Sequence, residues 1–149
     1  MKVKIFDNIL ILTDGSEYSL KLAEYGIKLA IMNDARLSCL YVVDMDNISK
    51  ICIKQNISTD QIEEKFEKQG EKAITSIRKI AEKYNMEINT FIKKGKIVDE
   101  ILKFIIQNKI DLVCITHRIR KGSESFRLIS IANQIIEFAN CPVFVLQHK

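Results

Sequence analysis

The chain of 149 residues lacks a hydrophobic run long enough to cross a membrane, a low-complexity tract and a closely spaced pair of cysteines. Its apolar runs are a few residues long, whereas a membrane helix needs about 20. The segment from Met1 to Phe6 also lacks the apolar core of a signal peptide. Because about 150 residues can bury a sizeable core, we expect residues 1–149 to form one cytoplasmic domain.

The four cysteines give no sign of a metal or redox site. None has a partner at CxxC spacing, and only His117 and His148 are available as nitrogen ligands. Three of the four lie among apolar residues, so we expect buried, reduced thiols and no metal. The four are Cys39, Cys52, Cys114 and Cys141.

The net charge of +4 is small, and most basic residues alternate with acidic residues along the predicted helices. This pattern is typical of a solvated surface. A nucleic-acid-binding protein more often has a concentrated basic stripe with aromatic residues on it. Nucleic acid is therefore not expected as a partner, although one short basic segment, described below, keeps the alternative open.

Five segments with strand patterns alternate with four helical segments along the chain. This alternation predicts an α/β fold with an open, five-stranded parallel sheet and helices on both faces. Ser16 and Ser58 are placed to cap two of the helices. The strands are predicted at residues 8–13, 36–43, 87–93, 111–116 and 143–146.

The segment from Met45 to Ile57 shows neither a helical nor a strand period. We expect it to be a variable connection, the least regular part of the fold, placed where it can serve as a lid. Ligands of open α/β sheets bind beyond the carboxyl ends of the strands, where the strand order reverses. That edge is built here from residues 13–16, 42–44, 94–96 and 116–130.

Five landmarks follow one another at that edge and in the strands leading to it. They are ILILTDGS (9–16), LYVVD (40–44), Lys94-Gly95 before a helix, DLVCI (111–115) and ANCPVFV (139–145). In order and spacing they resemble the universal stress protein family over essentially the whole chain. The resemblance implies a Rossmann-like sheet of the adenine nucleotide alpha hydrolase-like type, a homodimer and, in one branch of the family, an ATP site.

The ATP-binding branch carries three glycines in its phosphate loop, and the resemblance places them at Thr116, Ile119 and Ile129. Only Ser130, the hydroxyl position that follows, keeps the family's residue type. A loop that cradles phosphate needs exposed backbone N–H groups, which bulky or β-branched side chains obstruct. The chain therefore resembles the branch without the complete motif, and we expect no required cofactor and no tight binding of ATP.

Other positions of the family's pocket are retained. By position, Asp14 matches the acid on the adenine side, Val42 matches a backbone contact beside the base, and Arg118 replaces a histidine. Asp14 is equally consistent with a turn or helix cap, and Val42 with the core. The candidate site for ATP or AMP comprises Thr13, Asp14, Val42, Thr116, Arg118 and Ser130.

The polar loop from His117 to Ser125, with Arg127 just beyond it, carries a cluster of basic residues against one acid, Glu124. Side-chain cations can hold phosphate where backbone amides cannot. The alternative is a solvated loop without a ligand. The candidate anion contacts are Arg120, Lys121 and Arg127.

The last predicted strand is apolar at every position and is expected at an edge of the sheet. An exposed hydrophobic edge invites pairing with another chain, and antiparallel pairing about a twofold axis satisfies both copies. The competing explanation is an edge covered by the chain's own helix or by residues 45–57, which leaves a monomer. The predicted dimer interface comprises Val143, Phe144, Val145 and Leu146.

No catalytic set is evident in the sequence. No nucleophile has an adjacent base, and Asp14 with Asp44 supplies few acids for metal-dependent hydrolysis. The leading hypothesis is a non-catalytic, regulatory stress-response homodimer that binds a protein partner or a weakly held nucleotide. The alternatives are an ATP- or AMP-binding switch that uses Asp14, Ser130 and the basic loop, and a protein that binds an anionic partner or nucleic acid.

Overall fold

The computed structural model describes residues 3–118 and 130–148, which form five strands and five helices. The strands are β1 (Asn8–Leu12), β2 (Arg36–Asp44), β3 (Asn89–Gly95), β4 (Leu112–Arg118) and β5 (Val143–His148). The helices are α1 (Glu17–Asn33), α2 (Met45–Gln55), α3 (Thr59–Lys83), α4 (Ile97–Gln107) and α5 (Ile131–Phe138). No helix in the described part of the chain is long and apolar enough to span a membrane.

The five strands form one parallel sheet in the order β3-β2-β1-β4-β5, which confirms the predicted fold class. The chain runs outward from β1 to β3, and then crosses to the other side of β1 for β4 and β5. The carboxyl ends of β1 and β4 therefore flank the point where the strand order reverses, which is the usual ligand position in such sheets.

Two layers of helices cover the sheet. One core cluster packs α1 and α3 against one face, and it includes Ile11, Leu22, Ile27 and Ile77, all fully buried. A second cluster packs α4 and α5 against the other face and includes Leu10, Val113 and Ile135, also fully buried. Because both faces are covered, the central strands are apolar in continuous runs rather than in alternation.

The predicted helix caps are present. The side chain of Ser16 accepts a hydrogen bond from the backbone N–H of Ser19 at 3.3 Å, and that of Ser58 accepts one from Gln61 at 3.4 Å. Each bond satisfies one of the backbone donors that a helix leaves without an internal partner at its start.

The expectation that residues 45–57 are the least regular part of the fold is wrong, because residues 45–55 form α2. Asp44 caps this helix by accepting a hydrogen bond from the N–H of Asn47 at 3.1 Å. Ile48 is fully buried, and Met45 and Cys52 pack around it. Residues 45, 48 and 52 do have helical spacing, but Ile51 and Ile53 obscured it in the sequence.

The predicted loop from His117 also begins too early. His117 and Arg118 continue β4, because Gln147 and His148 extend β5 beside them. Two residues that the sequence pattern assigned to the loop therefore belong to the sheet.

The four cysteines are free, and the expectation that they are buried holds for two of them. Cys39 and Cys114 are buried, and burial raises the pKa of each to about 12. Cys52 and Cys141 are half-buried.

Candidate functional site

A small pocket lies at the carboxyl edge of the sheet, between the ends of β1, β2 and β4. It encloses about 90 Å³. The structure brings four of the predicted site residues together in its lining, and these are Thr13, Asp14, Val42 and Thr116. The position agrees with the ligand site expected where the strand order reverses.

The floor of the pocket is aliphatic. Buried beneath it are Leu12 at the end of β1, Leu40 in the middle of β2 and Ile115 of β4. Val42 is 8% exposed and packs in the core on the same face of the sheet. The side chain of Val42 therefore belongs to the core and also lines the pocket.

The turn between β1 and α1 uses the hydroxyl group of Thr13 for its own structure. This hydroxyl accepts a hydrogen bond from the N–H of Gly15 at 3.2 Å and donates one to the hydroxyl of Ser19 at 3.0 Å. Ser19 in turn donates to the carbonyl of Ser16 at 2.7 Å. Thr13 and Ser19 are buried, so this network fixes one wall of the pocket.

Asp14 is exposed at the rim of the pocket. Its Oδ1 accepts a hydrogen bond from the N–H of Ser16 at 2.9 Å, which is an Asx turn, and Gly15 completes the turn with a φ of 86°. Burial and the nearby charge of Asp14 both raise the pKa of Tyr41. Asp14 therefore holds the turn and also places a negative charge beside the pocket.

The first turn of α5 closes another side of the pocket. The hydroxyl of Ser130 accepts a hydrogen bond from the N–H of Asn133 at 3.1 Å, so this side chain caps the helix. Ile131, the first residue of the helix, is 37% exposed and lines the pocket. An isoleucine thus occupies the boundary between the pocket and the start of α5.

The remaining predicted contacts of the basic segment are not part of the described pocket lining. Arg118 does not line the pocket, because it lies at the end of β4, two residues beyond Thr116, where it pairs with His148. The predicted anion contacts Arg120, Lys121 and Arg127, and the glycine positions at Ile119 and Ile129, lie outside the described residues.

Sequence reasoning missed the aliphatic residues of the lining other than Val42. They are Leu12, Leu40, Ile97, Ile101, Ile115 and Ile131. The signal for Ile97 is its place directly after Lys96, because the first residue of a helix that follows a parallel strand lies at the ligand edge. Within residues 3–118 and 130–148, no three His, Cys, Asp or Glu side chains are grouped to hold a metal ion.

The predicted dimer strand, β5, lies at an edge of the sheet. Val143, Phe144, Val145 and Leu146 are all half-buried. Phe144 contacts Tyr25 of α1, with ring centroids 5.4 Å apart. The side chains of this strand are thus partly covered by the chain's own helices, while its outer backbone edge has no neighbouring strand in the described sheet.

Comparison with known proteins matches residues 5–147 to the Universal stress protein family. The chain is 32% identical over 143 residues to Universal stress protein MJ0531 of Methanocaldococcus jannaschii, covering 96% of this chain and 83% of that protein. It is 24% identical over 148 residues to Universal stress protein YxiE of Bacillus subtilis, covering 96% of this chain and 100% of that one.

Solved structures with the same fold include hypothetical protein MJ0577, with a TM-score of 0.77 and 19% identity over 97% of both chains. A universal stress protein in complex with cAMP has a TM-score of 0.69 and 14% identity over 97% of this chain and 98% of that chain. The universal stress protein from Archaeoglobus fulgidus in complex with dAMP has a TM-score of 0.61 and 18% identity, over 96% of this chain and 98% of that chain. At these identities the likeness establishes the fold.

Proposed function

The chain belongs to the universal stress protein family, and we propose that it is a cytoplasmic, non-catalytic regulatory homodimer that binds ATP weakly or not at all. The observation that carries the proposal is the position of Ile131 beside the capping hydroxyl of Ser130. A helix start binds phosphate through its open backbone N–H groups. Here that start presents an aliphatic side chain to the pocket, and the serine hydroxyl already bonds to the helix.

The difference between the two sheet edges supports the homodimer. On β3, the charged side chains of Lys93 and Lys94 oppose pairing of this edge with another strand. The ammonium group of Lys94 forms ion pairs with Glu63, at 3.0 Å, and with Glu67. On β5, the first four residues are apolar. Residues 45–55 do not cover β5, because α2 packs on α3 and β3 at the other side of the sheet.

Mass spectrometry of small molecules released by denaturing the purified protein tests the proposed lack of tight ATP binding. The expected result is no ATP at a level comparable to the protein. Release of about one ATP per chain contradicts the proposal. Protein partners of the regulatory dimer are a separate question, which affinity capture addresses.

A second candidate function is an ATP- or AMP-binding switch that uses Asp14, Ser130 and the basic segment. The observation that favours it is the similarity to proteins solved with cAMP and with dAMP. In a switch, nucleotide changes the dimer or the affinity for a partner. If Asp14→Ala leaves a measured nucleotide affinity unchanged, the switch does not use this pocket. If Arg118→Ala also leaves that affinity unchanged, the switch does not use the start of the basic segment.

A further inference from the structure

A second cavity lies between the edge strand β3 and helix α4, and it encloses about 200 Å³. Among the described residues, its lining and that of the pocket at the carboxyl edge have no member in common. The lining is polar, with three lysines, one glutamate, one glutamine and the ring of Phe104. An excess of amino groups over carboxylates in a concave site favours an anionic ligand.

Aromatic packing fixes the floor of this cavity. Phe104 of α4 is 3% exposed, and its ring meets the ring of Phe91 on β3 edge to face, with centroids 4.9 Å apart. Phe91 lies two residues before Lys93, so both side chains project from the same face of the strand. The contact therefore holds α4 against β3 and sets Lys93 beside the helix.

The three lysines of the lining have different partners. The ammonium group of Lys94 forms ion pairs with Glu63 and Glu67 of α3, on the opposite face of the sheet. Lys93 and Lys103 are exposed, and neither forms an ion pair with a carboxylate in the described part of the chain. Their two ammonium groups are therefore available to a ligand.

The helix side of the cavity carries charge and an amide in a fixed order. Glu100, Lys103 and Gln107 have helical spacing, so they lie along one side of α4. Glu100 lies at the end of β3, since a Cβ atom on Gly95 would be 2.8 Å from its Oε1. Gln107 lies at the other end and can donate to an anion through its amide.

We propose that this groove between β3 and α4 binds a small oxyanion with two negative charges, a dicarboxylate or a phosphate, between the ammonium groups of Lys93 and Lys103. Lysine binds such groups as a point charge, and the amide of Gln107 donates to the same anion. The carboxylate of Glu100 lowers the affinity by repulsion. This site goes beyond the proposed function, which assigns no ligand to β3.

Amide NMR spectra of the native protein locate the anion during titration with succinate and, separately, with inorganic phosphate. The titrations are run at low salt, where charge effects are largest, and at mildly alkaline pH, where both probes carry two charges. We expect saturable shifts at Lys93, Lys103 and Gln107. A response to one probe alone identifies a carboxylate or a phosphate as the ligand group.

Succinamide, the uncharged analogue of succinate, is the ligand control and should bind about five- to tenfold more weakly, because it forms no ion pair. If succinamide and succinate bind equally, or if neither anion shifts these residues, the inference is overturned. Shifts confined to residues 119–129 assign the anion to the basic segment and overturn it as well.

Three variants test the assigned residues. Lys93→Gln and Lys103→Gln should each weaken the anion by about two- to fivefold, whereas Glu100→Gln should strengthen it by about twofold, since it removes a repelling charge. Loss of folding does not produce effects of opposite sign. Lys28→Gln is the matched control, because Lys28 is exposed on α1, which covers the other face of the sheet. Equal weakening in the control, or weakening by Glu100→Gln, contradicts the site.

Discussion

The ring of Tyr18 stacks on the ring of His148, with centroids 3.6 Å apart and planes inclined by 9°. Tyr18 lies in the first turn of α1, directly after the turn that holds Asp14. His148 ends β5, the proposed dimer strand. This stack joins the rim of the pocket to the edge of the sheet. The pocket and the proposed dimer strand are therefore connected by one aromatic contact.

Tyr18→Ala should lower the free energy of unfolding by about 1 kcal/mol, since aromatic pairs contribute about that amount beyond burial. Tyr18→Phe keeps the ring and should have little effect. Urea denaturation at one fixed protein concentration measures both. Equal losses in the two variants would mean that the hydroxyl, and not the stacked ring, stabilises this end of β5.

Gly26 lies where α1 passes closest to β1. A Cβ atom there would lie 2.6 Å from Cγ1 and 2.7 Å from Cδ1 of Ile11, which is fully buried. We expect Gly26→Ala to lower the free energy of unfolding by about 1–3 kcal/mol, although alanine favours the helix itself. Adding Ile11→Val should recover part of the loss, because it removes Cδ1. A stabilised Gly26→Ala variant would show that the helix can move away from the sheet at no cost.

The sequence predicted the features of the fold that depend on nearby residues. The caps at Ser16 and Ser58 and the apolar strand runs follow from local chemistry, which is visible in a single segment. It could not reveal contacts between distant segments. The carboxylate of Asp111 accepts from the backbone N–H groups of Asp7 and Asn8 at 2.8 and 2.9 Å, across a separation of more than a hundred residues.

The candidate site was predictable in part for the same reason. Its edge follows from the alternation of strands and helices, and four of its residues follow from the resemblance to the family. The use of the Thr13 hydroxyl by the turn depends on the approach of Ser19, and the aliphatic boundary at Ile97 depends on how α4 packs. Both are results of packing that no local pattern specifies.

The buried thiols predict a pH dependence of stability. In the unfolded chain Cys39 and Cys114 ionise near their ordinary pKa of 9.0, whereas burial, opposed for Cys39 by Arg78, raises the pKa of each to about 12 in the fold. Ionisation therefore favours the unfolded chain as pH rises from 9 towards 12, and the free energy of unfolding should fall in that window. A Cys39→Ala/Cys114→Ala variant should show a smaller fall. If the free energy of unfolding falls equally with pH in the native protein and in the double variant, the pKa shifts are contradicted.

The homodimer is tested by light scattering at micromolar concentration. We expect the native protein to have twice the mass of the chain and Phe144→Lys to shift towards the monomer, because a charge on β5 opposes edge pairing. Asn89→Lys, on the opposite edge strand, is the matched control and should remain a dimer. Circular dichroism verifies that each variant folds. A native monomer, or a dimer that Phe144→Lys leaves intact, excludes β5 as the interface.

Calorimetric titration of the native protein with ATP tests the central claim most directly, because the proposed function requires that the pocket does not hold the phosphate groups of ATP tightly. Ile131 lines that pocket, and Ser130 bonds to Asn133. The account predicts that ATP shows no sub-micromolar affinity. A dissociation constant below micromolar, with about one ATP bound per chain, would contradict it.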